Sequence, residues 1–136
     1  MQKFSDRLKL QKFVYLLQAI GLDLGYSFSW YIYGPYSTEL TRAGFQIEAF
    51  ERIQPTTLKN PDQEAILRRH CDFIESNKDD MAWLEIASSL HFLKSIFPHK
   101  TKEQIVSEVE NKQPYLNGRK QEITRVWDQL GARGLL

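Results

Sequence analysis

Between Tyr26 and Ser37 the chain sets six aromatic rings in twelve residues and breaks on Gly34-Pro35. No other stretch limits the fold as much. Tyr26, Phe28, Trp30 and Ile32 alternate with Ser27, Ser29, Tyr31 and Tyr33, the period of two that gives an extended segment one buried and one open face. Gly34-Pro35 should stop that strand, because proline has no N–H for a ladder and glycine reaches backbone angles other residues avoid. Ser37 is then placed to cap a helix opening at Thr38. A lone ribbon of this length is marginal in water, so it has to lie on helices. Pairing with Leu22-Asp23-Leu24 would make it a hairpin. Two roles suit the segment. It is an aromatic core strand, or it is a recognition surface to which Tyr31, Tyr33 and Tyr36 contribute from the less buried side and the turn.

The flanking segments have helical spacing. Leu10, Phe13, Val14, Leu17 and Ile20 form a core-facing stripe over Ser5 to Ile20, widened by Leu8 and Leu16. Gly21 suits the left-handed residue that ends it, with Leu22 folding back on Leu17. Lys3, Arg7, Lys9 and Lys12 make its start basic, which reads as a solvated face. A second helix is expected from Thr38 to Arg52, with Leu40, Ala43, Gly44, Ile47 and Phe50 on one side. After a polar loop over 54–60, Asn60, Pro61 and Gln63 carry start signals for a third helix reaching Ser76 and burying Ile66, Leu67, Phe73 and Ile74. Asp80 should cap the most apolar helix, Met81 to Phe97, whose Trp83, Leu84, Ile86, Ala87, Leu90 and Leu93 place it at the centre. Thr101 and Gln104 form a capping box for a fifth helix with Ile105, Val106 and Val109, stopping near Lys112 before Pro114. A sixth, Gly118 to Leu130, buries Ile123, Val126, Trp127 and Leu130 and is closed by Gly131. The fold class is therefore mainly α, about six helices with one short β strand or hairpin between the first two, as one compact domain over residues 1–136.

Composition narrows the function classes. A net charge of +1 supplies no overall pull toward nucleic acid or an acidic partner. No apolar run is long enough for a membrane span. The N-terminal residues lack the apolar segment of a secretory signal, and Cys71 is the one cysteine, so a cytoplasmic protein without disulfides is expected.

Catalytic patterns are missing from the sequence. His70 and Cys71 are adjacent and diverge by about 100° on a helix, so they cannot share a metal. His91 and His99 fit no ligand spacing, and each histidine reads as structural. Cys71 has no base within its reach in the pattern and reads as a packed thiol. Asp79-Asp80 fits a helix start, and Glu48 with Glu51 a solvated face. There is no phosphate-cradling glycine loop. No enzyme activity, metal or cofactor is therefore expected. A small DNA-binding regulator of the winged-helix kind is the alternative, with Lys9, Lys12, Arg42, Arg68, Arg69, Arg119, Lys120 and Arg125 as phosphate contacts, although acidic residues are interspersed among them.

Arg7-Leu-Lys-Leu-Gln-Lys-Phe-Val-Tyr-Leu-Leu-Gln18, followed by Trp30-Tyr-Ile-Tyr-Gly-Pro-Tyr-Ser37 and Glu39-Leu40, resembles the Panacea (SocA-like antitoxin) domain, and within it the YwgA-like branch. Trp83 to Leu93, and Thr101 to Val109 with Lys112, look like the family's later segments, so the resemblance spans most of the chain. It implies a helix-rich domain that binds rather than catalyses, with a toxin protein encoded by the adjacent gene as the expected partner. The family also includes phage and mobile-element proteins. The positions that match its pattern are Lys9, Leu10, Gln11, Lys12, Tyr15, Tyr33, Gly34, Pro35 and Tyr36, as fold signature or as binding surface. The partner-binding set expected here is Lys9, Lys12, Tyr15, Tyr31, Tyr33, Gly34, Pro35 and Tyr36.

Overall fold

The computed structural model describes residues 4–21, 24–31, 34–43, 79–113 and 116–136, with 65, 68–70, 72, 73, 76 and 77 between them, and residues 4–6 and 43 by their backbone alone. The described chain is mainly helical. In order it forms α1 (Phe4–Ala19), β1 (Ser29–Tyr31), β2 (Gly34–Tyr36), α2 (Thr38–Ala43), α3 (Met81–Ile96), α4 (Lys102–Lys112) and α5 (Lys120–Ala132), and residues 68–70 are helical as well. No described helix is long and apolar enough to cross a membrane. The expectations for α2 beyond Ala43, for the 54–60 loop and the Asn60-Pro61-Gln63 start, and for Leu22, Glu48, Glu51, Ile66, Leu67, Cys71, Ile74 and Pro114 lie outside the described residues.

The apolar spacing of α3 makes it the central helix. It packs on α1, α4, α5 and β2, and Leu84, Ile86, Ala87 and Leu90 have no exposed surface. Each such leucine or isoleucine stabilises the fold by about 2 kcal/mol. The Asp80 side chain caps its start by accepting from Trp83 N at 3.0 Å. Its end is held by Phe97 N–H on Leu93 O at 2.8 Å, just before Pro98. The capping box of α4 forms in both directions, Gln104 N to Thr101 Oγ1 at 3.2 Å and Thr101 N to Gln104 Oε1 at 2.9 Å. Ile105, Val106 and Val109 then face α3 and α5 in the main core, together with Ile123, Val126 and Leu130.

The end of α5 differs from the sequence reading. Gly131 does not close the helix; it lies within it. The left-handed residue is Gly134, at φ 71°. Leu135 N donates to Leu130 O and Gly134 N to Gly131 O, both at 3.0 Å, which is the pair of bonds of a Schellman motif. Leu135 packs back on the core cluster that contains Leu130. A glycine in the last turn can serve as a helical residue when a second glycine three positions on satisfies the final carbonyls.

α1 begins and ends within one residue of the expected span, and Gly21 takes a positive φ of 116°. Leu8, Leu10, Val14, Leu16, Leu17 and Ile20 are buried and Phe13 half-buried. Leu10 and Val14 meet Leu40 of α2 in a second, smaller apolar cluster, which Leu24, Tyr26 and Phe28 cover from the ribbon side.

The ribbon is a hairpin, but among the described residues β1 has its partner on the other side of the turn and not at Leu24. It pairs antiparallel with β2, in the register Ser29↔Tyr36, Trp30↔Pro35 and Tyr31↔Gly34. Gly34-Pro35 therefore does not stop a strand; it forms part of one. Proline is tolerated because alternate antiparallel pairs exchange no ladder bonds, and Pro35 has no N–H to exchange. The expected alternation holds along the described residues: Tyr26, Phe28 and Trp30 are half-buried, whereas Ser27, Ser29 and Tyr31 are exposed.

Candidate functional site

α1 holds the ribbon by its backbone. The Gln11 amide grips Ser37 twice: Ser37 N donates to Oε1 at 2.8 Å, and Nε2 donates to Ser37 O at 2.9 Å. Two helical turns later Gln18 does the same to Tyr26, accepting from its N–H at 2.9 Å and donating to its carbonyl at 3.0 Å. A glutamine amide has the donor and acceptor of a peptide group, so each side chain supplies what a third strand would. Between them Lys12 Nζ donates to Pro35 O at 2.5 Å. Ser37 in turn caps α2 through its Oγ, which accepts from Leu40 N at 3.2 Å. Thr41 on α2 bonds the Tyr36 hydroxyl at 2.6 Å and accepts from Gln11 Nε2 at 2.9 Å. Both ends of the ribbon and the start of α2 are thus fixed by one face of α1.

Below β2 lies a buried polar cluster. Lys12, Glu85, Ser88, Ser89 and Gln113 have no exposed surface. Gln113 Nε2 donates to Ser89 Oγ at 2.8 Å. Among the described residues neither Glu85 oxygen has a hydrogen-bond partner, and Gln113 Oε1 has none. Gly34 covers the cluster at φ 94°, so close that a Cβ there would stand 2.5 Å from Ser89 Oγ and 3.2 Å from Gln113 Nε2. Loss of hydration governs both ionisable groups. Burial pulls Lys12 down to about 7, against the attraction of Glu85. Burial pushes Glu85 up to about 8, against the attraction of Lys12 and Arg119. Arg119 is itself paired with Glu122 at 2.6 Å.

A second polar contact joins α1 to α3 beside the ribbon. The Tyr15 hydroxyl and His91 Nδ1 are 2.8 Å apart. Burial raises the Tyr15 phenol and lowers His91. The phenol therefore keeps its proton and the imidazole is neutral, and the two share a hydrogen bond whose direction is set by the histidine tautomer. Phe28 meets the Tyr15 ring edge-on at 5.1 Å, and Trp30 lies against Phe92 at 5.9 Å. These rings are the buried underside of the ribbon. On its outer side Tyr31 is 47% exposed and packs edge-on against Tyr36 at 5.3 Å.

The expected partner-binding residues therefore divide. Lys12, Tyr15, Gly34 and Pro35 are buried, and Lys12 is no part of a solvated face. α1 is covered on nearly every side, so a lysine at that position has nowhere to go but inward. Lys9 and Tyr36 are half-buried and Tyr31 is exposed, while Tyr33 lies outside the described residues. Of the cations named for a DNA-binding surface, Lys12 is buried and Arg119 is paired with Glu122. His70 is buried too, and burial lowers its pKa. Among the described residues no three His, Cys, Asp or Glu side chains come together as a metal site would require.

Gln18, Glu85, Ser89 and Gln113 were not foreseen as parts of this arrangement. Glu85 could have been found, since a carboxylate between Leu84 and Ile86 in a helix apolar enough to be central has to be buried. Gln18 and Gln113 carry no such signal, because their partners are backbone and side-chain groups placed by the fold. Compared with known proteins, the chain matches no family model, no curated protein and no solved structure.

Proposed function

We propose that the protein is a non-catalytic interaction module of the antitoxin kind, which neutralises or adapts a partner protein by binding it at the outer face of the ribbon. The observation that carries this reading is Tyr31, an aromatic side chain 47% exposed on a ribbon whose inner side is clasped to α1. Tyrosine is a frequent interface anchor: it offers a large contact area, a hydroxyl and few rotatable bonds. A rigid support lowers the entropy lost on binding. Tyr36 beside it extends the surface. The resemblance to the Panacea domain supplies the class of partner, a toxin protein encoded beside this one.

Co-expression with the product of the adjacent gene tests the proposal. The expected result is that the neighbour is toxic alone, is tolerated with this protein and co-purifies with it. A neighbour neither toxic nor bound overturns the antitoxin role. Within a bound pair, Tyr31→Ala should weaken affinity by about 2 kcal/mol, roughly thirtyfold, measured by calorimetry. Its effect on stability should stay within about 0.5 kcal/mol, because the side chain is largely in water. Unchanged affinity would move the docking surface elsewhere.

A further inference from the structure

The partner-binding reading leaves the Lys12–Glu85 cluster unused, and this cluster sits under the one element that has to stay in place for Tyr31 to be presented. The two groups come from α1 and α3, and β2 packs on both helices. Pro35 O and the Gly34 backbone close over Lys12 Nζ, Ser89 Oγ and Gln113. A lysine with one neutral acceptor among the described residues, and a carboxylate with no hydrogen bond among them, are both poorly hosted as ions.

We propose that docking of the ribbon onto α1 and α3 is coupled to proton exchange at Lys12 and Glu85, which makes the ribbon a pH-sensitive latch. With the ribbon seated, water is excluded from both groups; with it lifted, each regains hydration and its ordinary ionisation. The glutamine clasps at Ser37 and Tyr26 are neutral, so they add strength to the docking and no pH dependence. Among the described residues the charged groups facing the pair are few. From the start of α5 comes Arg119, its charge shared with Glu122. α4 is followed by the neutral Gln113, and β2 offers only the Pro35 carbonyl. The other titrating group of α3 near the ribbon, His91, is paired with Tyr15.

The signs follow from linkage. Glu85 lies near 8 when buried and near its ordinary 4.5 when hydrated, so between those values docking takes up a proton and weakens as pH rises. Lys12 lies near 7 when buried and 10.5 when hydrated, so between those values docking releases a proton and strengthens as pH rises. Near neutrality the falling limb of Glu85 meets the rising limb of Lys12 and the net proton exchange passes through zero. Docking is weakest there. His91 cannot imitate the acid limb: burial lowers its pKa, so its contribution rises with pH.

Native-state hydrogen exchange on the intact protein tests this, with protection factors of the Tyr26 and Ser37 amides followed from about pH 5 to about pH 9.5 after correction for intrinsic rates. Protection should fall toward neutrality by up to about tenfold per pH unit, level off and rise again on the alkaline side. Glu85→Gln should delete the acid limb and keep the alkaline one; Lys12→Met should do the reverse. Ribbon protection that is flat with pH in the unaltered protein overturns the proposal, and so does a profile that both variants leave unchanged. Should either variant fail to fold, the unaltered profile and the other variant decide. The outcome is independent of whether a toxin partner is found.

Discussion

The two halves of this molecule are held by different chemistry. From Asp80 onward the chain is fixed by local signals around an apolar centre: a cap at Asp80, a capping box at Thr101 and Gln104, a Schellman motif at Gly134, and leucine, isoleucine and valine stripes that meet on α3. Around the ribbon the main fastenings are polar and non-local. Gln11 reaches 26 residues to Ser37, and Lys12 reaches 23 to Pro35. An apolar stripe tolerates substitution by anything of similar size, but a buried carbonyl gripped by one amine does not. The ribbon half should therefore be the more fragile to single polar changes, and the more easily opened without unfolding the rest.

Lys12→Met should show the largest effect. It keeps an unbranched chain of similar bulk and removes the one donor to Pro35 O, leaving a buried carbonyl unpaired. Denaturant unfolding on the alkaline side, where the amine is neutral and bears no cost of burying a charge, should register a loss of about 3 kcal/mol. Thr101→Ala, which removes one side of the α4 capping box, should cost about 1 kcal/mol. Equal losses would erase the contrast between the halves.

Gly34→Ala comes next, at about 2 kcal/mol. A φ of 94° is strained for any side chain. The added methyl would also press on Ser89 Oγ, which is tied to Gln113. Ser89→Ala in the same protein should recover part of the loss by making space, which a double-mutant cycle would read as coupling. Strict additivity would show that backbone strain alone is at stake.

Much of this was legible in the sequence, and the contrast between the halves explains what was not. The alternation from Tyr26 to Tyr31, the Ser37 cap and the central place of α3 all follow from patterns that neighbouring residues carry. The hairpin partner was not legible, since Gly34-Pro35 has the local chemistry of a stop and only its register against Trp30 turns it into a strand. Lys12 reads as part of a solvated face, and Glu85 draws no notice in the sequence, for a related reason. Their types belong on surfaces, and they are inside because α1 and α3 are covered by neighbouring elements at these positions. Within the partner-binding set, Lys12, Tyr15, Gly34 and Pro35 lie inside, a placement that depends on how the ribbon packs and that no local pattern carries.

The two glutamine clasps sharpen the comparison further. Gln11 is buried and Gln18 half-buried, so the same substitution should have unequal effects. Gln11→Leu leaves the Ser37 N–H unpaired away from water, its carbonyl still accepting from Thr41 N, at about 2 kcal/mol; at Gln18 water can reach the freed groups, at about 1 kcal/mol. Thermal unfolding of the two variants side by side checks the order. A larger loss at Gln18 would make the Tyr26 end the anchor of the ribbon.

The smallest effects belong to the α5 end, where two glycines three residues apart should respond in opposite directions. Gly131 has helical backbone and open space around the position a Cβ would take, so alanine there gains helix propensity and should stabilise by roughly 0.5–1 kcal/mol. Gly134 also has open space, but its φ of 71° is the left-handed value that closes the Schellman motif. Alanine there should cost about 1 kcal/mol. Since neither methyl meets a neighbour, the difference isolates backbone conformation from packing. Calorimetry should place the two midpoints on opposite sides of the unaltered protein, each by about 2–4 °C. Destabilisation by both would return the helix end to Gly131 and remove the local signal that makes this half self-specifying.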